Sequence, residues 1–246
     1  MALPRFFCPM PLSLGVTVTL PRTVASHAGR SLRLRENDQI CLFNGEGGQF
    51  IARLFFEDAI AKAQLLEFDA NNYLPDVDIR LLQGLPQGDK MEWIIEKTSE
   101  LGVRSLVPIQ ADRSVVNLKD PKRQDKRLQR WQNISLAAAE QCGRNLPLQI
   151  HAVTTLKEWL PQETGRHLLL CQPDAADTLG EVISHLKGAA FDVLIGPEGG
   201  WSASEQALIM AAPQAHAIRW GQLVLRTETA GLVLSSSILT LLEQSD

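Results

Sequence analysis

Hydrophobic and polar positions alternate with a period of two over the first part of the chain. Beyond it they change to helical spacing mixed with solid apolar runs. Val16, Val18 and Leu20 fall on alternate positions, as the inward face of a strand does. Ile40 and Leu42, then Phe50, Ala52 and Leu54, flank Asn44-Gly45, a dipeptide that suits the positive-φ positions of a tight hairpin. Strands this short, without a long helix among them, predict a small β-barrel up to about residue 70. The polar stretch Asp69-Ala70-Asn71-Asn72 and the following Pro75 mark a boundary. Domains of 1–72 and 73–246 follow.

From Val77 strands alternate with helices. Asp89 and Glu92 have the spacing of a capping box, and Met91, Ile94, Ile95, Thr98 and Leu101 continue at helical spacing to a stop at Gly102. A strand is expected near Leu106 to Ile109. Asp120-Pro121 opens a second helix, along one side of which lie Leu128, Trp131, Ser135, Ala138 and Cys142, and Gly143 ends it. Leu168-Leu169-Leu170 and Val193-Leu194-Ile195 are continuous apolar runs, the pattern of strands covered on both faces. The prediction is an α/β domain with a largely parallel sheet. No internal repeat or low-complexity stretch is visible.

Composition narrows the class. A chain of 246 residues with 45% hydrophobic and 21% charged positions can bury a core, which excludes a disordered chain. No run of eighteen apolar residues offers a membrane span. The four cysteines form no CxxC pair and the five histidines no HxxxH spacing, so neither a disulfide framework nor a metal site is expected. Arg5 ahead of an apolar stretch resembles a targeting peptide, but Pro4, Pro9 and Pro11 interrupt it, and a cytoplasmic protein is expected. The net charge of −4 hides two basic regions. No acidic residue precedes Glu36, whereas Arg5, Arg22, Arg30, Arg33 and Arg35 do. Between Arg113 and Arg130, seven basic residues (Arg113, Lys119, Lys122, Arg123, Lys126, Arg127 and Arg130) face only Asp120 and Asp125. Each cluster alone reads more readily as an ordinary solvated face. Two in one acidic chain bring RNA phosphates into view.

Ligands of open α/β sheets bind beyond the carboxyl ends of the strands. Three loops there carry candidate chemistry: Cys171-Gln172-Pro173-Asp174, then Gly196-Pro197-Glu198-Gly199-Gly200-Trp201, then Gly221 to Ala230. The second is glycine-rich, yet it lacks both the Gly-Lys-Ser/Thr ending of a P-loop and the GxGxxG spacing of a dinucleotide fold. Ser202 and Glu205 supply a hydroxyl and a carboxylate to the helix start where an anion would dock. A phosphate is therefore disfavoured, and with it a nucleotide hydrolase. A flat ligand such as adenine suits a glycine wall that exposes backbone amides and carbonyls. A plain strand-to-helix turn without ligand stays open on this loop taken alone.

Ile195-Gly196-Pro197-Glu198-Gly199-Gly200-Trp201 and Leu225-Arg226-Thr227-Glu228-Thr229-Ala230 resemble the paired motifs of the RsmE family of ribosomal RNA methyltransferases. Pro4-Arg5-Phe6-Phe7, the segment Glu96 to Val103 and Glu140-Gln141-Cys142-Gly143-Arg144 extend the resemblance over essentially the whole chain. The resemblance implies a PUA-like β-barrel followed by a trefoil-knotted SPOUT methyltransferase domain. It also implies S-adenosylmethionine as cofactor, methylation of uridine N3 in small-subunit ribosomal RNA, and a homodimer. The expected cofactor contacts are Leu170, Gln172, Ile195, Gly196, Pro197, Glu198, Gly199, Gly200, Gly221, Leu223, Val224, Leu225, Arg226, Thr227 and Glu228. The expected RNA contacts are Arg5, Arg22, Arg30, Arg33, Arg35, Arg113, Lys122, Arg123, Arg127 and Arg144.

Transfer of a sulfonium methyl needs alignment and the handling of a proton, not a metal. Uridine N3 is a poor nucleophile until its proton leaves, so the site must supply a base or stabilise the anion on O2 and O4. Arg226 cannot be the base but can hydrogen-bond the oxyanion, unless it merely pairs with Glu228. Glu198 and Glu228 are the candidate bases. Glu198 reads equally as an acceptor for its own loop, and Glu228 as a first-turn carboxylate at a helix start. Arg144 points to RNA or a neighbouring subunit's pocket, or is simply a cation at a helix end. The segment Ala230 to Leu242 reads as a buried helix, at a dimer interface or in the core. The alternative to an enzyme is a non-catalytic RNA-binding or ribosome-assembly factor on the same scaffold.

Overall fold

The structure is a computed structural model that describes residues 3–243 apart from 59, 119, 163–164, 187 and 189, with no side chain described at 30, 31, 162 or 243. Two compact units are present, one of residues 1–74 with 136–147 and the other of 75–135 with 148–246. No helix among the described residues is long and apolar enough to cross a membrane.

The first unit holds β1 (Arg5–Phe7), β2 (Thr17–Thr19), α1 (Arg22–Ser26), β3 (Gln39–Phe43), β4 (Gln49–Glu57) and β5 (Ile60–Asp69). Its sheet runs β1-β3-β4-β5-β2, parallel between β1 and β3 and antiparallel elsewhere. The alternating residues Ile40, Leu42, Ala52, Leu54, Ala63 and Leu65 meet Phe6, Val18 and Val24 in one core. Asn44-Gly45 does sit between β3 and β4, but the connection runs over 44–48 rather than two residues. The Asn44 carboxamide accepts the Glu46 amide at 3.1 Å, which builds a wider Asx turn. Residues 136–147 join this unit through Glu140, which accepts the Phe7 amide at 2.8 Å, and Asn145, which donates to the Asn71 carbonyl at 2.7 Å. No hydrophobic pattern in the sequence marks that membership.

The second unit contains β6 (Asp78–Gly84), α2 (Lys90–Glu100), β7 (Ser105–Ile109), α3 (Pro121–Cys142), β8 (Gln149–Ile150) and α4 (Leu156–Trp159). It continues with β9 (His167–Cys171), α5 (Leu179–Ile183), β10 (Ala190–Ile195), α6 (Ala203–Met210), β11 (Ala215–Ile218) and α7 (Thr227–Glu243). The unit boundary falls inside α3, whose last turns belong with the first unit. All six strands are parallel, in the order β11-β9-β10-β6-β7-β8.

The solid apolar runs have a simple cause. Leu81, Leu169 and Val193 pack with Ile94 and Ile95 of α2 and Leu234 and Ile238 of α7. Their neighbours Leu82, Leu168, Leu170 and Leu194 pack on the opposite side with Leu156 of α4 and Ile209 of α6. Both faces of the sheet are covered, so both strand periodicities are apolar. Gly102 and Gly143 close α2 and α3 at positive φ, as expected. The Asp89–Glu92 capping box does not form. Asp89 makes no side-chain cap bond, and Glu92 is taken by Arg130 of α3, whose Nη2 donates at 2.8 Å.

At the amino ends of the strands lies a buried ion cluster. Asp192 of β10 receives Arg80 Nε of β6 at 3.0 Å and Arg166 Nε at 2.6 Å, and Arg166 also reaches Asp78 at 2.8 Å. This end of the sheet is closed, which leaves the carboxyl end for ligands.

Candidate active site

The carboxyl ends of the five strands β6, β7, β9, β10 and β11 bring their loops around a cavity of about 520 Å³. That size falls within the roughly 300–1,000 Å³ of small-molecule sites. Gln172 and its neighbours come from the loop after β9, Ile195, Gly196, Pro197, Glu198, Gly200 and Trp201 from that after β10, and Leu223 to Thr227 from that after β11. Leu170 lies fully buried in the core beneath the cavity, and Gly199, Gly221 and Glu228 stand beside its lining rather than in it.

The loop after β10 is held by close approach. A Cβ on Gly84 at the end of β6 would lie 2.5 Å from Pro197 Cδ, so only glycine lets Pro197 pack there. Thr227 fixes the opposite wall. Its hydroxyl donates to the Gly196 carbonyl at 2.6 Å and accepts from Gln83 Nε2 at 2.9 Å, tying the start of α7 to β10 and β6.

The start of α6 carries the capping box read from the sequence, with Ser202 and Glu205 each accepting the other's amide. Glu205 also accepts the Asp112 amide at 3.0 Å, and Ser202 donates to the Asp112 carboxylate at 2.6 Å. The first-turn amides therefore face carboxylates, not an empty anion hole. Ile195, Pro197, Leu225, Ala230 and Trp201 give the cavity an apolar floor, and loop backbone supplies polar edges. Such a surface fits an adenosine better than a phosphate. Burial pushes the Cys171 thiol up to about 11, so this wall residue is neutral and not a nucleophile.

Charge gathers at the rim. Lys90 Nζ stands 2.8 Å from Glu198 Oε1 and 3.2 Å from Glu228 Oε2. The hydrogen bond to Glu198 holds the Lys90 ammonium above its ordinary range, against the pull of burial. Burial works to raise Glu198, but the Lys90 hydrogen bond and the amides of Gln87 and its own residue outweigh it and leave the carboxyl low. Arg226 is 83% exposed in its side chain, with Nη1 at 4.0 Å from Glu228 Oε1, and it lines the cavity. Arg113 donates to the Gly199 carbonyl at 3.2 Å, which places this expected RNA contact on the cavity wall.

Lys90, Gln206 and Trp220 also line the cavity and carry no local motif. Lys90 and Arg113 follow β6 and β7, and they join the site because β6 pairs with β10 and β7 stands on the far side of β6. Of the remaining basic residues, Arg22, Arg33, Arg35, Lys122 and Arg123 are exposed and Arg127 is half-buried. Lys119 and the Arg30 side chain lie outside the described residues. Arg144 is corrected: it is 3% exposed, and its Nε donates to the Leu146 carbonyl at 2.6 Å, so no phosphate can reach it without unpacking. Arg5 is likewise committed inside the first unit, to Gln49, to the Arg144 carbonyl at 3.2 Å and over the Phe43 ring.

Among the described residues, no group of His, Cys, Asp and Glu could hold a metal ion. Residues 73–239 match an RNA methyltransferase domain, and residues 20–61 match an RNA methyltransferase PUA domain. A ribosomal RNA small subunit methyltransferase E from Bacillus subtilis is 32% identical over 86% of this chain and 85% of its own length. One from Synechocystis is 33% identical over 92% and 74%. The crystal structure of one from Neisseria gonorrhoeae, bound to S-adenosyl methionine, is 34% identical, covers 98% of each chain and superposes with a TM-score of 0.89. The cavity, its two signature walls and these likenesses agree, and the chain belongs to the ribosomal RNA small subunit methyltransferase E family.

Proposed function

We propose that this protein transfers a methyl group from S-adenosylmethionine to N3 of a uridine in small-subunit ribosomal RNA, in the cytoplasm. The observation that carries the reading is the carboxyl-end cavity, walled by 195–201 and 220–227, with a guanidinium exposed at its mouth. The cofactor, when bound, supplies an electrophilic methyl carbon on a positive sulfur. Ile195, Pro197, Leu225 and Ala230 would hold its adenosine part against the backbone of the two walls. Leu223, 80% exposed, and Val224, 76% exposed, would close over it. Arg226 donates to a uracil oxygen as N3 loses its proton, which lowers the energy of the anion that attacks. A protein that only binds RNA has no use for that combination.

The knotted path of the superfamily is part of the proposal. So is a homodimer. The outer side of α7 leaves Leu232, Val233 and Ser236 beside Leu101 of α2 and Trp220, which is 40% exposed. Sedimentation at micromolar concentration is expected to give twice the 27.2 kDa of one chain. For RNA, reversing Lys122, Arg123 and Arg127 together is expected to weaken binding and flatten its salt dependence without changing cofactor affinity.

The test is transfer of label from S-adenosylmethionine to intact 30S particles and to naked ribosomal RNA, followed by nucleoside analysis. Labelled 3-methyluridine is expected. Label on another position or on no nucleoside would refute the reading.

A further inference from the structure

Glu198 comes from the loop after β10 and Glu228 from the first turn of α7, yet both carboxylates stand against one ammonium, that of Lys90 at the first position of α2. Glu198 has a second partner, since its carboxylate accepts the Gln87 amide at 3.2 Å. A general base needs a free lone pair within reach of the proton it removes. Glu198 is held on this side of the site by hydrogen bonds from Lys90 and Gln87, and Glu228 by the charge of the same ammonium at 3.2 Å.

We propose that Lys90 is a positioning residue that binds Glu198 and Glu228 at once, so that Arg226 and not a carboxylate faces the uracil ring. The proposal rests on the methyltransferase reading of the same site. Its geometry has two consequences. The bridge joins the loop after β10 to the start of α7, the two walls of the cavity, alongside the Thr227 bond to Gly196. It also neutralises Glu228, which otherwise would draw Arg226 inward from its 4.0 Å separation. In this arrangement the ammonium lowers the basicity of both carboxylates, and the N3 proton leaves to solvent from a uracil whose oxygen Arg226 contacts. The N3–H bond breaks with its proton passing to solvent and its electron pair forming the N3–methyl bond, while the methyl–sulfur bond would break with its pair left on the sulfur of the demethylated thioether product.

Other charges face Lys90. Asp89 and Glu92 share its helix, and Glu92 is paired with Arg130 of α3. Arg113 after β7, Asp174 after β9 and Arg226 before α7 share the cavity wall with it. Among the described residues it is Lys90 that lies within ion-pair distance of both rim glutamates.

The experiment is a carbon-13 titration of the full chain with labelled glutamate, for the wild type, Lys90→Met and Lys90→Arg. Glu198→Gln and Glu228→Gln assign the two signals. No cofactor is needed, so the readout survives even if S-adenosylmethionine fails to bind, an outcome that would sink the methyltransferase reading instead. In the wild type, Glu198 is expected to titrate below an ordinary glutamate. In Lys90→Met two like charges share one rim, and one of the pair is expected to move up by about one pH unit or more. Lys90→Arg is expected to restore the wild-type curve. In parallel, S-adenosylmethionine affinity is expected to fall about tenfold in Lys90→Met, and kcat to gain a carboxylate limb absent from the wild type. Titration curves unchanged by Lys90→Met would overturn the proposal. So would loss of transfer in Glu198→Gln or Glu228→Gln greater than in Lys90→Met, since that would identify a carboxylate base.

Discussion

Two clusters of charge occupy opposite ends of one parallel sheet, and β6 and β10 lead into both. At the amino ends, Asp192 is fully buried between Arg80 and Arg166, whose side chains are 11% and 15% exposed. At the carboxyl ends, Lys90 and Glu198 are about one-third exposed and Arg226 is 83% exposed. The same residue types do different work. The buried cluster satisfies itself with bidentate hydrogen bonds and holds the strands in register. The open cluster pairs its carboxylates with one cation and leaves a second cation for a substrate. A strong ion pair marks structure here, and an unspent cation marks chemistry.

The comparison can be broken at either end. The largest effect is expected from Asp192→Ala, which takes from Arg80 and Arg166 the buried carboxylate they share, leaving Arg166 only its Asp78 partner, and should cost about 3–5 kcal/mol in urea unfolding. A loss below about 1 kcal/mol would mean that the closed end is not structural. Arg226→Ala should leave stability unchanged, because its side chain is exposed, yet lower kcat about 10²–10³-fold at saturating cofactor. A matching fall in unfolding free energy would make Arg226 a structural residue after all.

Gly84→Ala tests the scaffold between the two ends. Its new methyl would meet Pro197 at 2.5 Å, so the loop after β10 must shift. A cost of about 1–3 kcal/mol and weaker S-adenosylmethionine binding are expected. Wild-type affinity in calorimetry would show that the loop does not need that contact.

The smallest effect is pH-dependent. The Glu198 carboxyl is held below its unfolded value, so its contribution to stability is present above the ordinary glutamate range and is lost as pH falls through the lower, folded value. Because the pair with Lys90 is solvent-exposed, Glu198→Gln should destabilise by no more than about 1 kcal/mol at pH 7. At acid pH the two proteins should unfold alike. A difference that persists there would mean that Glu198 acts by packing, not charge.

Features that depend on neighbouring residues were legible in the sequence. The Ser202–Glu205 capping box forms, and it places a hydroxyl and a carboxylate at the start of α6 as its spacing implied. The apolar runs at 168–170 and 193–195 are strands covered on both faces. Features that depend on the order of strands were not legible. Lys90 and Arg113 reach the cavity because β6 follows β10 in the sheet and β7 follows β6, an order that no local spacing encodes. Neither the charge count that included Arg5 nor the motif position of Arg144 tells an arginine that serves carbonyls from one that serves phosphates. Glu92 failed as a cap partner for a similar reason, since a distant arginine, Arg130, competes for it.

The most direct test of the account is calorimetry on the full chain with S-adenosylmethionine and its demethylated product, set against ATP and GTP. Saturable heat with the first two and none with the nucleoside triphosphates is predicted, because the start of α6 is filled by Ser202 and Glu205. Saturation by a triphosphate with no response to the sulfonium nucleoside would contradict it.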